Sequence, residues 1–435
     1  MELDDEYLFN TDNIKDIEDN ISRRKSIGNI RLVNEMHEKL KSLKTNDSKY
    51  QSVKAQLAEE CRRIPNRTHP DIISYIDTPK VIKYIGSKRV FDFPHKEFYE
   101  ISKRLKLVRT EQLGSLAGSR TYYLLGQMAE LEHALVRYFV KNLLQSEFQL
   151  VSVSDIVPRD LVESCGMNTK GERTQVYTLD PNLHGPDLCL SGTSEIALAG
   201  YLTNRVFDPQ ELPLRLCAVS RCYRAETSST ADERAALPDQ SDVILENLRT
   251  HQEQFFGSLG IHFQVLDMPP HDLGAPAYRK YDIEAWMPGR NLYDNAYCGR
   301  WIGRGSLFPW PASSPDLTCM DFHLWGRVKN IFFRTGPTCK QDLIDKIKDA
   351  IHHIPVSEVE SEISSCSNCT DFQARRLNIR YRKADGFTEF VHTLNGTACA
   401  IPRLLIALTE TFQQSKGTIL IPEVLQPFMH NERFI

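Results

Sequence analysis

One stretch limits what this chain can fold into more than any other: Phe390–Met429, FVHTLNGTACAIPRLLIALTETFQQSKGTILIPEVLQPFM. Phe390–Leu394 reads as a strand, and Asn395-Gly396 ends it, because both residues tolerate the backbone angles of a turn. From Ala398 to Gln413 the apolar residues Ile401, Leu404, Leu405, Leu408 and Phe412 recur at three- and four-residue steps, which predicts a helix with one broad apolar face. Pro402 is acceptable in a first turn, where its missing N–H has no partner to lose. Gly417 closes the unit before a second strand, Thr418–Ile421. Arg403 is the lone charge in that first turn. Two readings stand: an arginine that reaches to the surface, or an anion-binding arginine at a helix N-terminus, where negative charge is favoured.

The remainder of the chain is long enough to bury large cores. Its 435 residues predict two or three domains. With 41% hydrophobic and 25% charged residues the composition is that of a soluble protein, and no apolar run reaches membrane-spanning length. The net charge of −4 sets up no global field for nucleic acid. Between Ser22 and Thr110, however, 21 Lys+Arg stand against 10 Asp+Glu, an excess of 11. That balance suits either RNA contact or an ordinary solvated face. The eleven cysteines include a single CxxC, Cys366–Cys369, with no second pair to complete a zinc site, and fit reduced thiols. The first residues, MELDDEYLFN, are acidic and lack the Arg/Ser-rich look of a transit peptide.

In chain order, Ile30–Ile64 reads as a helical hairpin. Leu32, Val33, Met36, Leu40 and Leu43 form a stripe, Thr45–Ser48 a turn, and Val53, Leu57 and Ile64 the return. Pro65–Pro70 is a stiff linker. Tyr122–Gln145 predicts a long helix and Phe148–Val153 a strand. Thr193-Ser194-Glu195 would cap the helix Ile196–Thr203. Leu214–Tyr223 is an apolar strand ending in Arg224-Ala225-Glu226, where the arginine could simply pair with the nearby glutamate.

The wording TLNGTACAIPRLLIALTE resembles motif three of the class II aminoacyl-tRNA synthetases, nearest the seryl-tRNA synthetases of the mitochondrial branch. SRCYRAETSS is similar to motif two, and ESEISSCSNCTDFQARR to the segment between them. The resemblance covers Asn29–Asp242 loosely, and Val243–Tyr293 and Glu362–Met429 closely. It implies an α+β fold: a class II antiparallel sheet flanked by helices (71–435), preceded by a short helical tRNA-binding arm and linker (1–70). It also implies a homodimer through motif one, where Ser154 stands in the place of the family's proline. The implied reaction joins serine to ATP as seryl-adenylate and then to serine tRNA. Arg224 would grip the α-phosphate and Arg403 the far phosphate and adenine, the two catalytic residues. Thr193, Ser194, Glu195 and Thr397 would bind serine. Ala225, Glu226 and Glu362–Ser365 (Glu362, Ile363, Ser364, Ser365) would complete the ATP site, with Glu362 and Ser365 ligating Mg²⁺ beside the phosphates. An arginine fork suits developing phosphate charge, and magnesium takes only one or two protein oxygens there. The resemblance further implies the mitochondrial matrix, with the cytoplasm as the alternative, and no membrane.

Two breaks in the pattern carry expectations of their own. After RAETSS the text TADERAALPDQSDVILENL runs polar and then helical, which predicts that the motif-two return strand is missing, with its adenine-stacking aromatic and its ammonium-binding glutamate. Asp294–Val359 resembles the C-terminal part of mariner-type transposases, with Asp321 at the third metal-binding aspartate. One carboxylate of a trio holds no pair of metal ions, so the segment is expected to be a foreign insertion. The expected function is therefore a weakened serine–tRNA ligase, or alternatively a non-catalytic relative that binds tRNA or a partner.

Overall fold

The computed structural model describes residues 4–24, 28–45, 47–76, 78–110, 122–169, 176–185, 187–223, 232–289 and 360–435. Chain contacts gather into two units: residues 1–86, 136–284 and 362–400 in one, and 87–135, 285–361 and 401–435 in the other.

The first unit opens with four helices, α1 (Asp5–Leu8), α2 (Ile14–Arg23), α3 (Ile30–Ser42) and α4 (Tyr50–Arg62). The last two are the expected hairpin. Asn29 caps α3 by accepting from Leu32 N, and the turn at Asp47 accepts from Lys49 N. Their apolar stripe does more than join the two: Ile30, Val33, Leu57, Cys61 and Ile64 pack with Leu8, Ile17 and Ile21 in a small core of their own. Arg24, 3% exposed, ties this helical group to the loops beside it by donating to the carbonyls of Asn66, Arg67 and Gly274.

An eight-stranded sheet forms the body of the unit. Its strands are β1 (Lys80–Ile85), β2 (Gln149–Leu150), β3 (Leu214–Cys217), β4 (Asp232–Ala236), β5 (Phe263–Asp267), β6 (Arg279–Trp286), β7 (Glu360–Thr370) and β8 (His392–Gly396). The order across the sheet is β1-β5-β6-β7-β8-β4-β3-β2. β1–β5, β7–β8, β8–β4 and β4–β3 are antiparallel, and β2–β3 is parallel. Helix α9 (Ser241–Ser258) buries Leu245 and Leu248 against Tyr281, Cys366 and Leu394 of the sheet. Helices α7 (Arg159–Ser164), α8 (Ser194–Leu202) and α10 (Phe372–Leu377) share a second core built on Val162, Ile196, Leu198, Phe207, Leu377 and Val391. Both sides of the central strands are thus covered, which is why Ile363, Cys366, Cys369 and Leu394 are all fully buried.

The second unit holds α5 (Phe98–Leu105), the start of α6 (Gln127–Gln145) and α11 (Ile401–Thr411). Its organising group is Glu410, 3% exposed, whose carboxylate accepts from Phe98 N and Gly289 N, both at 2.9 Å. Two backbone donors that would otherwise be buried without partners are satisfied by one charge.

Several boundaries differ from the sequence expectations. The motif-three helix starts at Ile401, not Ala398; the residues before it run along β7, Thr397 N and Ala400 N donating to Ser365 O and Ile363 O. Thr418–Ile421 is no regular strand and makes only single bridges, Gln413–Ile419 and Leu420–Phe434. The main correction concerns motif two. The return strand expected to be missing is present as β4, Asp232–Ala236, antiparallel to both β3 and β8. Its text, DERAA, has neither alternation nor β-branched residues, so no propensity signals it; pairing on both edges supplies what the side chains do not. Arg224, Ala225 and Glu226, and the whole of 294–359, lie outside the described residues.

Candidate active site

The Thr193–Glu195 loop leads into α8 as a helix cap. Thr193 Oγ1 accepts from Glu195 N at 3.3 Å, and Ser191 Oγ holds the loop by donating to Thr193 O at 2.7 Å. The strand expected over Leu214–Tyr223 ends at Cys217; beyond it, Ser191 O accepts from Tyr223 N at 2.9 Å, which ties the chain to this loop one residue before Arg224. Thr193 and Ser194 are buried, whereas Glu195 is partly open.

Glu195 is held from two other elements. Its Oε1 accepts from Gln373 Nε2 of α10 and from Asn395 Nδ2 of β8, each at 2.6 Å. Thr393 of β8 donates to Gln373 Oε1 at 2.6 Å and fixes which end of that amide faces Glu195. Asn395 was read from sequence as a turn residue. It belongs to β8 instead, paired in register with Glu233 of β4. The network therefore holds the partly exposed Glu195 carboxylate on a rigid support.

Thr397 follows two residues later. Its N–H donates to Ser365 O at 2.7 Å, and its carbonyl accepts from Gln252 Nε2 at 2.9 Å and from Ser364 Oγ. Among the described residues its buried hydroxyl has no hydrogen-bond partner. A native buried hydroxyl left unpaired is unusual and costs about 1–3 kcal/mol. It is the kind of donor and acceptor that a polar ligand satisfies.

Glu362 and Ser365 lie on β7, both half-buried, flanking the buried Ile363 and Ser364. Glu362 faces charge on the neighbouring strand β6. There Lys280 Nζ and Asp282 Oδ2 pair at 2.6 Å. Burial pushes the Asp282 carboxyl up to about 7, Lys280 works against that rise, and the nearby Glu362 adds to it. One carboxylate and one hydroxyl, both partly open, are hard oxygen donors of the type magnesium accepts when phosphates and water complete its shell. Among the described residues no group of three or more His, Cys, Asp or Glu forms an all-protein metal cage. Cys366 and Cys369 are buried on β7, and Cys369 Sγ accepts from Asn395 Nδ2 at 3.3 Å. In the second unit, Arg403 sits in the first turn of α11, partly exposed, as the helix pattern required.

One residue escaped the sequence reading. Glu233 occupies the β4 position opposite Asn395, the residue that holds Glu195. Its only sequence signal was a glutamate shortly after the RAET segment.

A broad, mainly antiparallel sheet followed by a helix whose first turn carries a lone arginine fits a class II aminoacyl-tRNA synthetase core. The family model described as tRNA synthetase class II core domain (G, H, P, S and T) matches residues 177–412. The chain is 34% identical over 401 residues to the mitochondrial serine–tRNA ligase of Bos taurus, covering 87% of this chain and 64% of that protein. It is 33% identical over 395 residues to the serine–tRNA ligase of Treponema denticola, covering 87% and 77%. It therefore belongs to the seryl-tRNA synthetase family, and it spans slightly under two thirds of the length of its bovine relative. Among solved structures, the seryl-tRNA synthetase of Pyrococcus horikoshii complexed with ATP superposes with a TM-score of 0.73 at 22% identity, covering 100% of this chain and 99% of that one. The cytoplasmic serine–tRNA ligase of Naegleria fowleri in complex with AMP gives 0.74 at 21% identity, covering 99% and 98%.

Proposed function

We propose that this chain is a serine–tRNA ligase that activates serine with ATP and transfers it to serine tRNA. The observation that carries the reading is a pair of groups either side of Asn395: the Glu195 carboxylate at the start of α8, clamped by Gln373 and by Asn395 of β8, and the Thr397 hydroxyl just past β8, buried without a partner among the described residues. Glu195 binds the substrate ammonium, and Thr193 and Thr397 offer hydrogen bonds to its polar groups. A site that satisfies a hydroxyl in this way rejects alanine strongly, because a polar group is then left unpaired. The serine carboxylate itself attacks the α-phosphate of ATP, the bond to the β-phosphate breaks and pyrophosphate leaves, so no side chain becomes covalently bonded. The enzyme contributes positioning and charge.

Arg224, with Ala225 and Glu226, and Arg403 serve ATP in this reading, by the family wording around them. Glu362 and Ser365 would hold magnesium, which supplies charge neutralisation to the phosphates. Glu233 stands opposite Asn395 in the register of β4 and β8, which makes it the residue to test as a second acidic group of the serine site. The strand text Asp-Glu-Arg-Ala-Ala has no aromatic to stack on adenine, so ATP is held more weakly than in a site with such a ring. The alternative, a non-catalytic relative, rests on that same absence.

Exposed Leu144, Leu150 and Ile156 fit a homodimer contact. The mitochondrial matrix is the compartment, after the mitochondrial relatives. The arm (1–70) serves tRNA and the remainder (71–435) catalysis. The 294–359 insertion rests on its wording alone, and transcript sequencing across it tests that reading.

The direct test of the serine site is calorimetry with serine and ATP. Glu195→Ala should weaken serine binding by about 1.5–3 kcal/mol, one charged hydrogen bond. Equal affinity in the two proteins would place serine elsewhere.

A further inference from the structure

Away from the serine site, the first unit encloses a cavity of about 490 Å³ between the start of α1, the end of α4, α10 and the start of α9. Arg376 of α10 lines it and is 9% exposed. The guanidinium lies 3.4 Å from the ring centre of Phe372, and Nη1 donates to Phe372 O at 2.8 Å. That is its one hydrogen bond among the described residues, from a group with five N–H donors.

Among the described residues no carboxylate pairs with it. The nearest acid, Asp371, is already bonded to Arg375 Nε at 2.7 Å, and a second cation, Arg62, stands close by. Burial, reinforced by Arg62, pushes the Arg376 pKa down to about 9. Removing an ion from water without a partner is costly, so a counter-charge in the cavity has a large effect to offset.

The other wall charges say what kind of counter-charge. Arg67 is paired with Asp4 at 3.0 Å and Arg375 with Asp371. Glu6 and Asp242 also line the cavity, and no cation pairs with either among the described residues. One guanidinium with donors to spare and two carboxylates without a cation partner among the described residues, Asp242 already accepting from Asn368 Nδ2 at 3.0 Å, therefore line the same space. A doubly charged phosphate would satisfy the first and be repelled by the others. A molecule with one carboxylate and one ammonium satisfies both.

We propose that this cavity binds a small zwitterion with the charge pattern of a free amino acid, its carboxylate on Arg376 and its ammonium toward Glu6 and Asp242, independently of the Thr193–Glu195 site. The guanidinium fork matches a carboxylate in two parallel bonds.

The test is calorimetric titration of the full chain with glycine, acetate and inorganic phosphate, all in the Glu195→Ala background so that the serine site is disabled. Glycine should bind, acetate more weakly, and phosphate most weakly. Arg376→Gln should reduce glycine affinity by at least about tenfold, roughly 1.4 kcal/mol. Should Arg376→Gln fail to fold, the exposed Asp242→Asn carries the test and should weaken glycine but not acetate. Glycine binding unchanged in these variants, phosphate binding tighter than glycine, or no glycine binding in the Glu195→Ala protein would each overturn the proposal. None of these results bears on serine activation, which is measured separately.

Discussion

Gln373→Leu tests the support of the Glu195 carboxylate. Gln373 and Thr393 are both 0% exposed, and the amide links Thr393 to Glu195 through bonds of 2.6 Å on each side. Leucine fills similar space but removes both bonds. Losing a charged hydrogen bond costs about 1.5–3 kcal/mol, and stranding the Thr393 hydroxyl adds about 1–3 kcal/mol. Neighbouring terms of this kind do not sum fully, and point changes above about 4–5 kcal/mol are exceptional. The expected loss is therefore about 3 kcal/mol, read as a shift of the urea midpoint. Gln373→Glu supplies a control with a pH signature. It sets a second carboxylate against Glu195, so it should be the worse variant at neutral pH and recover on mild acidification, when the pair shares a proton. A Gln373→Leu protein within about 0.5 kcal/mol of the parent, the range of an inert surface change, would refute the clamp.

Two further outcomes follow from other parts of the molecule. Burial lowers the pKa of His392, which faces Ser241 Oγ at 3.0 Å. A lowered folded-state value means that the unfolded chain takes the proton first. The stability this contributes is held above the ordinary histidine range, about 6.5, and is lost as pH falls through it. His392→Asn should flatten that acid limb in pH-dependent denaturation, and an unchanged limb would contradict the assignment. On the arm, Lys39, Lys44, Lys49 and Lys54 are exposed. Reversing all four to Glu should weaken serine tRNA binding and flatten the salt dependence measured by filter binding; an unchanged slope would mark them as an ordinary solvated face.

How far the site could be read in advance depended on whether a residue's role was local or assembled. The helix cap at Thr193-Ser194-Glu195 and the α11 face of Leu404, Leu405 and Leu408 follow from neighbours in sequence, and the structure has them where expected. The arm's stripe was legible for the same reason, although its partners Leu8, Ile17 and Ile21 were not, since they come from earlier helices. Strand β4 was missed because DERAA carries no strand signal of its own. It is a strand because β3 and β8 offer it hydrogen bonds on both edges. Asn395, a turn former by type, was misplaced for the same reason. Gln373, 178 residues from Glu195, could not have been found from spacing at all.

Serine-dependent exchange of pyrophosphate into ATP tests the central claim most directly. With Glu195, Thr397 and a motif-two return strand in place, the exchange should depend on serine, fail with alanine, and be lost in Glu195→Ala. The missing adenine-stacking ring should cost about 1–3 kcal/mol. That is about five- to a hundredfold at each tenfold per 1.4 kcal/mol, and it should appear as a raised KM for ATP that introducing an aromatic into Asp232–Ala236 partly restores. Absence of any serine-dependent exchange at saturating ATP would contradict the account and leave a chain that kept the synthetase fold without its reaction.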